Sequence, residues 1–163
     1  MEDDSARTYF LLDHPPTPVP SQRVVDLYRR AFVLPPWNNQ TSETEAFNCL
    51  KCDYVVPLFQ GVFAEEERKT IGFSLAAEKI FQNGHSLVWV NMVCVDPDRQ
   101  GRGIGRTLIE MTIEAARRRG VESVGLTTLK QSPAAKLYEK LGFKRSSSAA
   151  STCPGYGLFS LKF

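Results

Sequence analysis

The stretch from residue 95 to residue 106, Val-Asp-Pro-Asp-Arg-Gln-Gly-Arg-Gly-Ile-Gly-Arg, constrains the fold more than any other part of the chain. It stands between two periodic segments of different kinds. Before it, Leu87, Val88, Trp89, Val90, Met92, Val93 and Val95 are apolar on both alternating faces, which predicts a strand over residues 86–95 in the middle of a sheet. After it, Ile104, Leu108, Met111 and Ala115 recur at helical spacing, and Ile109, Ile113 and Ala116 widen the stripe. That breadth predicts a helix packed on the sheet. Arg117, Arg118 and Arg119 complement the helix's negative end, and Gly120 stops it. A strand that enters a helix through Gly101, Gly103 and Gly105 leaves the helix's first N–H groups without partners, beside a main chain free of Cβ atoms. Arg99, Arg102 and Arg106 add positive charge to the same turn. Such a turn suits a phosphate group.

Two familiar phosphate loops are excluded. A P-loop needs Gly-Lys followed by Ser or Thr, and no such sequence is present. The dinucleotide fingerprint could begin at Gly101 and Gly103, but its third glycine would fall on Arg106. No acidic residue stands suitably in the following strand, since Glu122 precedes it, and residues 96–100 make the turn longer than a dinucleotide-binding one.

The remaining segments read as alternating elements. Residues 8–12 form a short strand, ended by the proline-rich stretch 15–20. Ser21 caps a helix whose apolar face is Val24, Val25, Leu27, Tyr28, Ala31 and Phe32, stopped by Pro35 and Pro36. Residues 42–50 predict a second short helix. Residues 58–64 and 70–77 predict a hairpin around the charged turn 65–69. After the long helix come a strand over 121–128 and a helix with Ser132 as cap and Pro133 at its first position. A strand from Phe143, a Ser/Ala-rich loop over 146–151 and a last strand over 156–163 complete the order. The sum is one mixed α/β sheet with helices on both faces.

Composition agrees with a single domain spanning residues 1–163: 42% of residues are hydrophobic and 23% charged. A formal net charge of +2 argues against nucleic-acid and membrane-surface partners. The start, Met1-Glu2-Asp3-Asp4, is acidic, unlike a signal peptide, and no run has transmembrane length. The expectation is a cytoplasmic protein, with the nucleus also compatible. Cys49 and Cys52 make one C-x-x-C late in a helix, without a second pair or nearby histidine, so no metal is expected and the cysteines are read as small packing groups.

The segment Gln100-Gly101-Arg102-Gly103-Ile104-Gly105, preceded by Val95-Asp96-Pro97, resembles the Q/R-x-x-G-x-G/A signature of the GNAT superfamily of acyl-CoA-dependent N-acetyltransferases. A second element is similar, Ala134-Ala135-Lys136-Leu137-Tyr138-Glu139-Lys140-Leu141-Gly142-Phe143, and Ile71-Gly72-Phe73 resembles a third, weaker one. The resemblance implies a mostly antiparallel central sheet of six to seven strands, about four helices on both faces, and a splay between the fourth and fifth strands. It implies acetyl-CoA as co-substrate. Pantetheine would pair with the main chain of Val93, Cys94 and Val95. The pyrophosphate would rest on the main chain of Gly101, Arg102, Gly103, Ile104, Gly105 and Arg106, with Gln100 in the same turn and Gln131 offering an amide to pantetheine.

For the chemistry, the resemblance implies Tyr138 as the acid that protonates the leaving thiolate, by direct attack of an amine on the thioester. Glu78, late in the third strand, is the first candidate for the base, with Glu122 and His85 behind it. Phe32, Trp37 and Tyr156 are expected to line the acceptor's entry. Relatives that acetylate protein N-termini often carry an acidic residue and an asparagine where this chain has Leu126 and Gln131, which favours a small-molecule amine acceptor. The alternatives are a non-catalytic acyl-CoA-binding interaction module and a peptide or histone lysine acetyltransferase. Homodimers through the last strands are common in the family.

Overall fold

Seven strands form one sheet in the order β1-β2-β3-β4-β5-β7-β6. The computed structural model describes residues 7–15, 19–146 and 154–163. The elements are β1 (Thr8–Leu12), α1 (Gln22–Phe32), α2 (Glu43–Tyr54), β2 (Phe59–Glu66), β3 (Lys69–Ile80), β4 (Ser86–Val95), α3 (Ile104–Arg118), β5 (Ser123–Leu129), α4 (Pro133–Lys140), β6 (Lys144–Arg145) and β7 (Tyr156–Lys162). All neighbouring strands run antiparallel except β4 and β5, which are parallel. The expected mostly antiparallel sheet with helices on both faces is what the chain forms.

The two faces have separate cores. On one, Val25 and Leu27 of α1 and Leu50 and Tyr54 of α2 meet Phe63, Phe73, Leu75 and Cys94. On the other, Ile109 and Ile113 of α3 and Tyr138 of α4 meet Val88, Val90, Leu126 and Phe159. Helix α2 runs a turn further than its sequence signals suggest, because Leu50 and Tyr54, four apart, both bury against the sheet. Its start is a capping box: Ser42 accepts from the Glu45 N–H, and the Glu45 carboxylate accepts from the Ser42 N–H. Cys49 and Cys52 are both exposed, although the Cys49 sulfur meets the Tyr28 hydroxyl of α1 at 3.9 Å, whereas Cys94 is buried. Cys153 and residues 16–18 and 147–151 fall outside the described residues. Among the described residues, no helix is long and apolar enough to cross a membrane.

Two irregularities position the site. The β3–β4 register pairs Leu75 with Met92 but Ala76 with Val90, so Asn91 is a bulge residue without a partner on β3. The bulge reverses the alternation of β4. Val88 and Val90 face the α3 core before it, whereas Met92 and Cys94 face the α1–α2 core after it. The second irregularity is Gly72 on β3. A Cβ there would come within 3.1 Å of the Cys94 carbonyl and of Ile104 and Leu108 side chains. The missing side chain lets the first turn of α3 lie close against the sheet. Deeper along α3, the buried Gln60 amide donates to the Thr112 carbonyl, and the Thr112 hydroxyl donates to Ser74. These bonds fix the helix's rotation over β2 and β3.

Candidate active site

The parallel β4–β5 ladder runs only from Leu87↔Ser123 to Val90↔Leu126. Beyond it β4 continues to Val95 and β5 to Leu129 with no pairing between them. Strand β5 keeps β7 on its other side, and β4 keeps β3. The result is the expected splay, a gap bordered by two strand edges whose main-chain groups face one another unpaired.

At the Val95 end of the gap the chain makes a short 3-10 turn (Pro97–Arg99) and then enters α3. Gly101 and Gly103 have φ of 78° and 80°, a region that side chains disfavour, and a Cβ on either would meet nothing within 4 Å. Among the described residues, no main-chain N–H from Gly101 to Arg106 has an acceptor. The turn therefore presents consecutive free donors into open space at the positive end of a helix. The arginines divide their roles. Arg99 is held 2.6 Å from the buried Glu66 carboxylate, which Arg7 also contacts at 3.1 Å. Both guanidiniums hold the Glu66 carboxyl below its usual range, Arg99 more strongly. Arg106 pairs with Glu110 at 2.8 Å, one helical turn on. Arg102 is exposed and has no partner among the described residues. Arg99 thus anchors the turn, and Arg102 is the charge free to meet an anion. Gln100 donates to the Val95 carbonyl at 3.3 Å, tying the turn back to β4. Gln131 is exposed beside the Ser132 cap of α4, at the end of β5.

Tyr138 is 5% exposed, its ring packed on Phe143 and Phe159 at centroid distances of 5.7 and 6.3 Å. Its neighbour Leu137 approaches Gly105, which brings α4 beside the start of α3. Burial raises the phenol's pKa well above its ordinary value, so the hydroxyl keeps its proton across the neutral range. No hydrogen bond occupies it among the described residues.

Glu78 is not brought to the gap. It pairs with Val88, ahead of the bulge, on the α3 side of the sheet, where its carboxylate lies 2.9 Å from Arg119. Arg119 caps the far end of α3, about 22 Å of helix from the glycine turn. An ion-paired carboxylate there serves the fold. His85 and Glu122 pair with each other at 2.7 Å on the surface of that same end. The rings of Phe32 and Trp37 meet at 5.5 Å in a tilted arrangement, and Tyr28 joins Phe32 at 4.7 Å, giving an aromatic row along the end of α1. Tyr156 opens β7 opposite Leu129, with β5 between it and the gap, and has no ring contact to that row among the described residues.

One carboxylate escaped the sequence reading. Asp53, in the last turn of α2, is partly buried beside the Asn91 bulge and pairs with no cation among the described residues. Burial raises its pKa to about 6, and the neighbouring Asn91 amide opposes that shift only in part. An available signal was its place: an acid at a helix C-terminus works against the helix dipole.

An extended ligand with amides along its length and phosphates at one end complements this gap and turn. Residues 58–145 match the acetyltransferase (GNAT) domain family, and the chain belongs to that family. Mycothiol acetyltransferase of Propionibacterium freudenreichii subsp. shermanii is 29% identical over 135 residues, 82% of this chain and 42% of that protein. The ribosomal protein bS18-alanine N-acetyltransferase of Escherichia coli K12 is 42% identical over 55 residues, 33% of this chain and 37% of that protein. These matches span less than half the length of either relative. A PaiA N-acetyltransferase from Thermoplasma acidophilum in complex with coenzyme A superposes with a TM-score of 0.70 over 96% of this chain and 99% of that one, at 14% identity, a likeness of fold.

Proposed function

We propose that the protein transfers an acetyl group from acetyl-CoA to a primary amine, with a small-molecule amine as the favoured acceptor. The observation that carries this reading is the run of free main-chain N–H groups from Gly101 to Arg106 beside the unpaired edges of β4 and β5. In it, Val93, Cys94 and Val95 offer main-chain groups to the pantetheine arm, and Gln131 offers its amide from the β5 side. The turn's N–H groups and Arg102 receive the pyrophosphate, while Gln100 holds the turn in shape. A strand N–H near Val93 to Val95 stabilises the oxyanion. The acceptor nitrogen bonds to the acyl carbon as the carbon–sulfur bond breaks. The Tyr138 hydroxyl protonates the departing thiolate and regains a proton from solvent. Phe32, Trp37 and Tyr156 border the acceptor's approach. Leu126 is buried where a carboxylate would serve N-terminal acetylation, which supports the small amine.

The test is thiol release from acetyl-CoA over a panel of amines, with coenzyme A affinity measured by calorimetry. Gly103→Ala and Gly103→Glu share the same backbone strain of about 1–2 kcal/mol. The alanine variant is expected to keep measurable coenzyme A binding, and the glutamate variant to lose it through charge repulsion. Equal affinities would remove the pyrophosphate from this turn. Tight coenzyme A binding with no thiol released by any amine would replace the enzyme reading with that of a binding module.

A further inference from the structure

The acceptor side of the gap holds a negative charge that the fold leaves unneutralised. The acidic groups of Glu66, Glu78, Asp96, Asp98 and Glu122 all have a basic partner. Asp53 has none among the described residues, although it is partly buried. Among the described residues, no charged group acts on it. The Asn91 amide lies against it from β4. Within α2 its near neighbour is Cys49, whose thiol pKa burial raises. From α1, Tyr28 donates to the Cys49 sulfur at 3.9 Å, and its own phenol is pushed up to about 12, chiefly by burial. Both groups are neutral where the carboxyl titrates.

Position sharpens the point. Val90 is the last β4 residue paired to β5, and Asn91 follows it directly, so Asp53 stands where the gap opens. It lies on the α1–α2 face, the side carrying the Tyr28–Phe32–Trp37 row. Tyr28, at one end of that row, is near enough to Asp53 for the carboxylate to act on its phenol.

We propose that Asp53 receives the acceptor's ammonium group and takes its proton, directly or through one water, so that the nitrogen attacks as a neutral amine. This assignment rests on the acetyltransferase reading above. Asp53 accepts one proton from the ammonium and passes it to solvent. The nitrogen then forms its bond to the acyl carbon, the carbon–sulfur bond breaks, and the thiolate is protonated. The nitrogen's second proton leaves as the amide forms, so the sum is one amide, one thiol and one proton. The acceptor is accordingly a cationic primary amine.

The experiment compares wild type, Asp53→Asn and Asp53→Glu. Phenethylamine, diaminobutane and alaninamide serve as basic acceptors, and trifluoroethylamine as one already neutral at pH 7. The wild type is expected to show kcat/KM rising through about pH 6 with its best basic acceptor. Asp53→Asn is expected to lose roughly 100-fold in kcat/KM with that acceptor and to lose the acidic limb. It should lose far less with trifluoroethylamine, and Asp53→Glu should recover part of the rate. Coenzyme A affinity, read by calorimetry, should be the same in all three proteins. A wild-type rate and pH profile in Asp53→Asn would overturn the assignment alone, as would an equal loss with basic and neutral amines. Tight coenzyme A binding without turnover by the wild type would overturn the enzyme reading and the assignment together.

Discussion

Tyr138 is buried and Asp53 partly buried, and burial pushes both toward their neutral forms. For Tyr138 that is the form an acid needs. Tyr138→Phe preserves the ring's packing on Phe143 and Phe159. It is expected to lower kcat about 10- to 100-fold while leaving acetyl-CoA affinity unchanged. Because burial keeps the phenol protonated, the deficit should persist from neutral pH into the ordinary phenol range; a rate equal to wild type throughout would remove its role as acid. For Asp53 burial works against the form a base needs, and the fold bears the cost. With a folded pKa raised from 3.8 to about 6, the unfolded chain ionises first as pH rises. The native state therefore loses stability across that window and carries the full penalty above it. With solvent at this partly exposed site screening part of the effect, Asp53→Asn should stabilise the protein near neutral pH by about 1–2 kcal/mol and flatten the stability slope between those values, both readable by urea unfolding at a series of pH values.

At the scale of elements, the site depends on how closely α3 approaches β3. Gly72→Ala would set a methyl group 3.1 Å from the Cys94 carbonyl, Ile104 and Leu108, forcing the first turn of the helix outward. A stability loss of about 1–3 kcal/mol and weaker coenzyme A binding are expected, measured by denaturation and calorimetry. Gly105→Ala, which meets Val95 at an ordinary 3.5 Å, should be tolerated and serves as the control. Much of this arrangement was legible in the sequence. Apolar periodicity switches from strand to helix across the glycine turn, and Ser132-Pro133 marks the start of α4 where the cap is found. What stayed hidden depends on which face a residue takes. Glu78 sits on a strand whether its carboxylate points to the gap or to α3, and the answer follows from pairing with Arg119, far away in sequence. The Asn91 bulge has no periodic signature, yet it decides which residues of β4 face each core. Arg99 reads as a phosphate ligand until Glu66 is found against it. Asp53 reads as a solvated helix end until α1 and β4 close around it.

Across the whole molecule, the sheet consists of two halves, β1–β4 and β5–β7, which share the short parallel ladder from Leu87 to Val90. Helix α3 spans the junction, touching Val62 and Ala64 on β2 as well as the core beneath β5. The glycine turn, the bulge and Asp53 all cluster at the open end of this junction, whereas Glu78, His85 and Glu122 occupy its closed end. One end of the sheet thus holds the halves together, and the other carries the candidate site.

The unfinished ladder has a practical consequence. A sheet that stops pairing midway is a native state short of some of its rungs, and whatever lies between the two bare edges completes it. Coenzyme A added at about 100 times its dissociation constant should stabilise the native state by about 2.7 kcal/mol, visible as a melting temperature that climbs with dose and needs no acceptor. Left bare, the same two edges invite another chain to pair with them. Material purified with coenzyme A in the buffer should remain monodisperse longer than material stripped of it, and light scattering over time would register the difference.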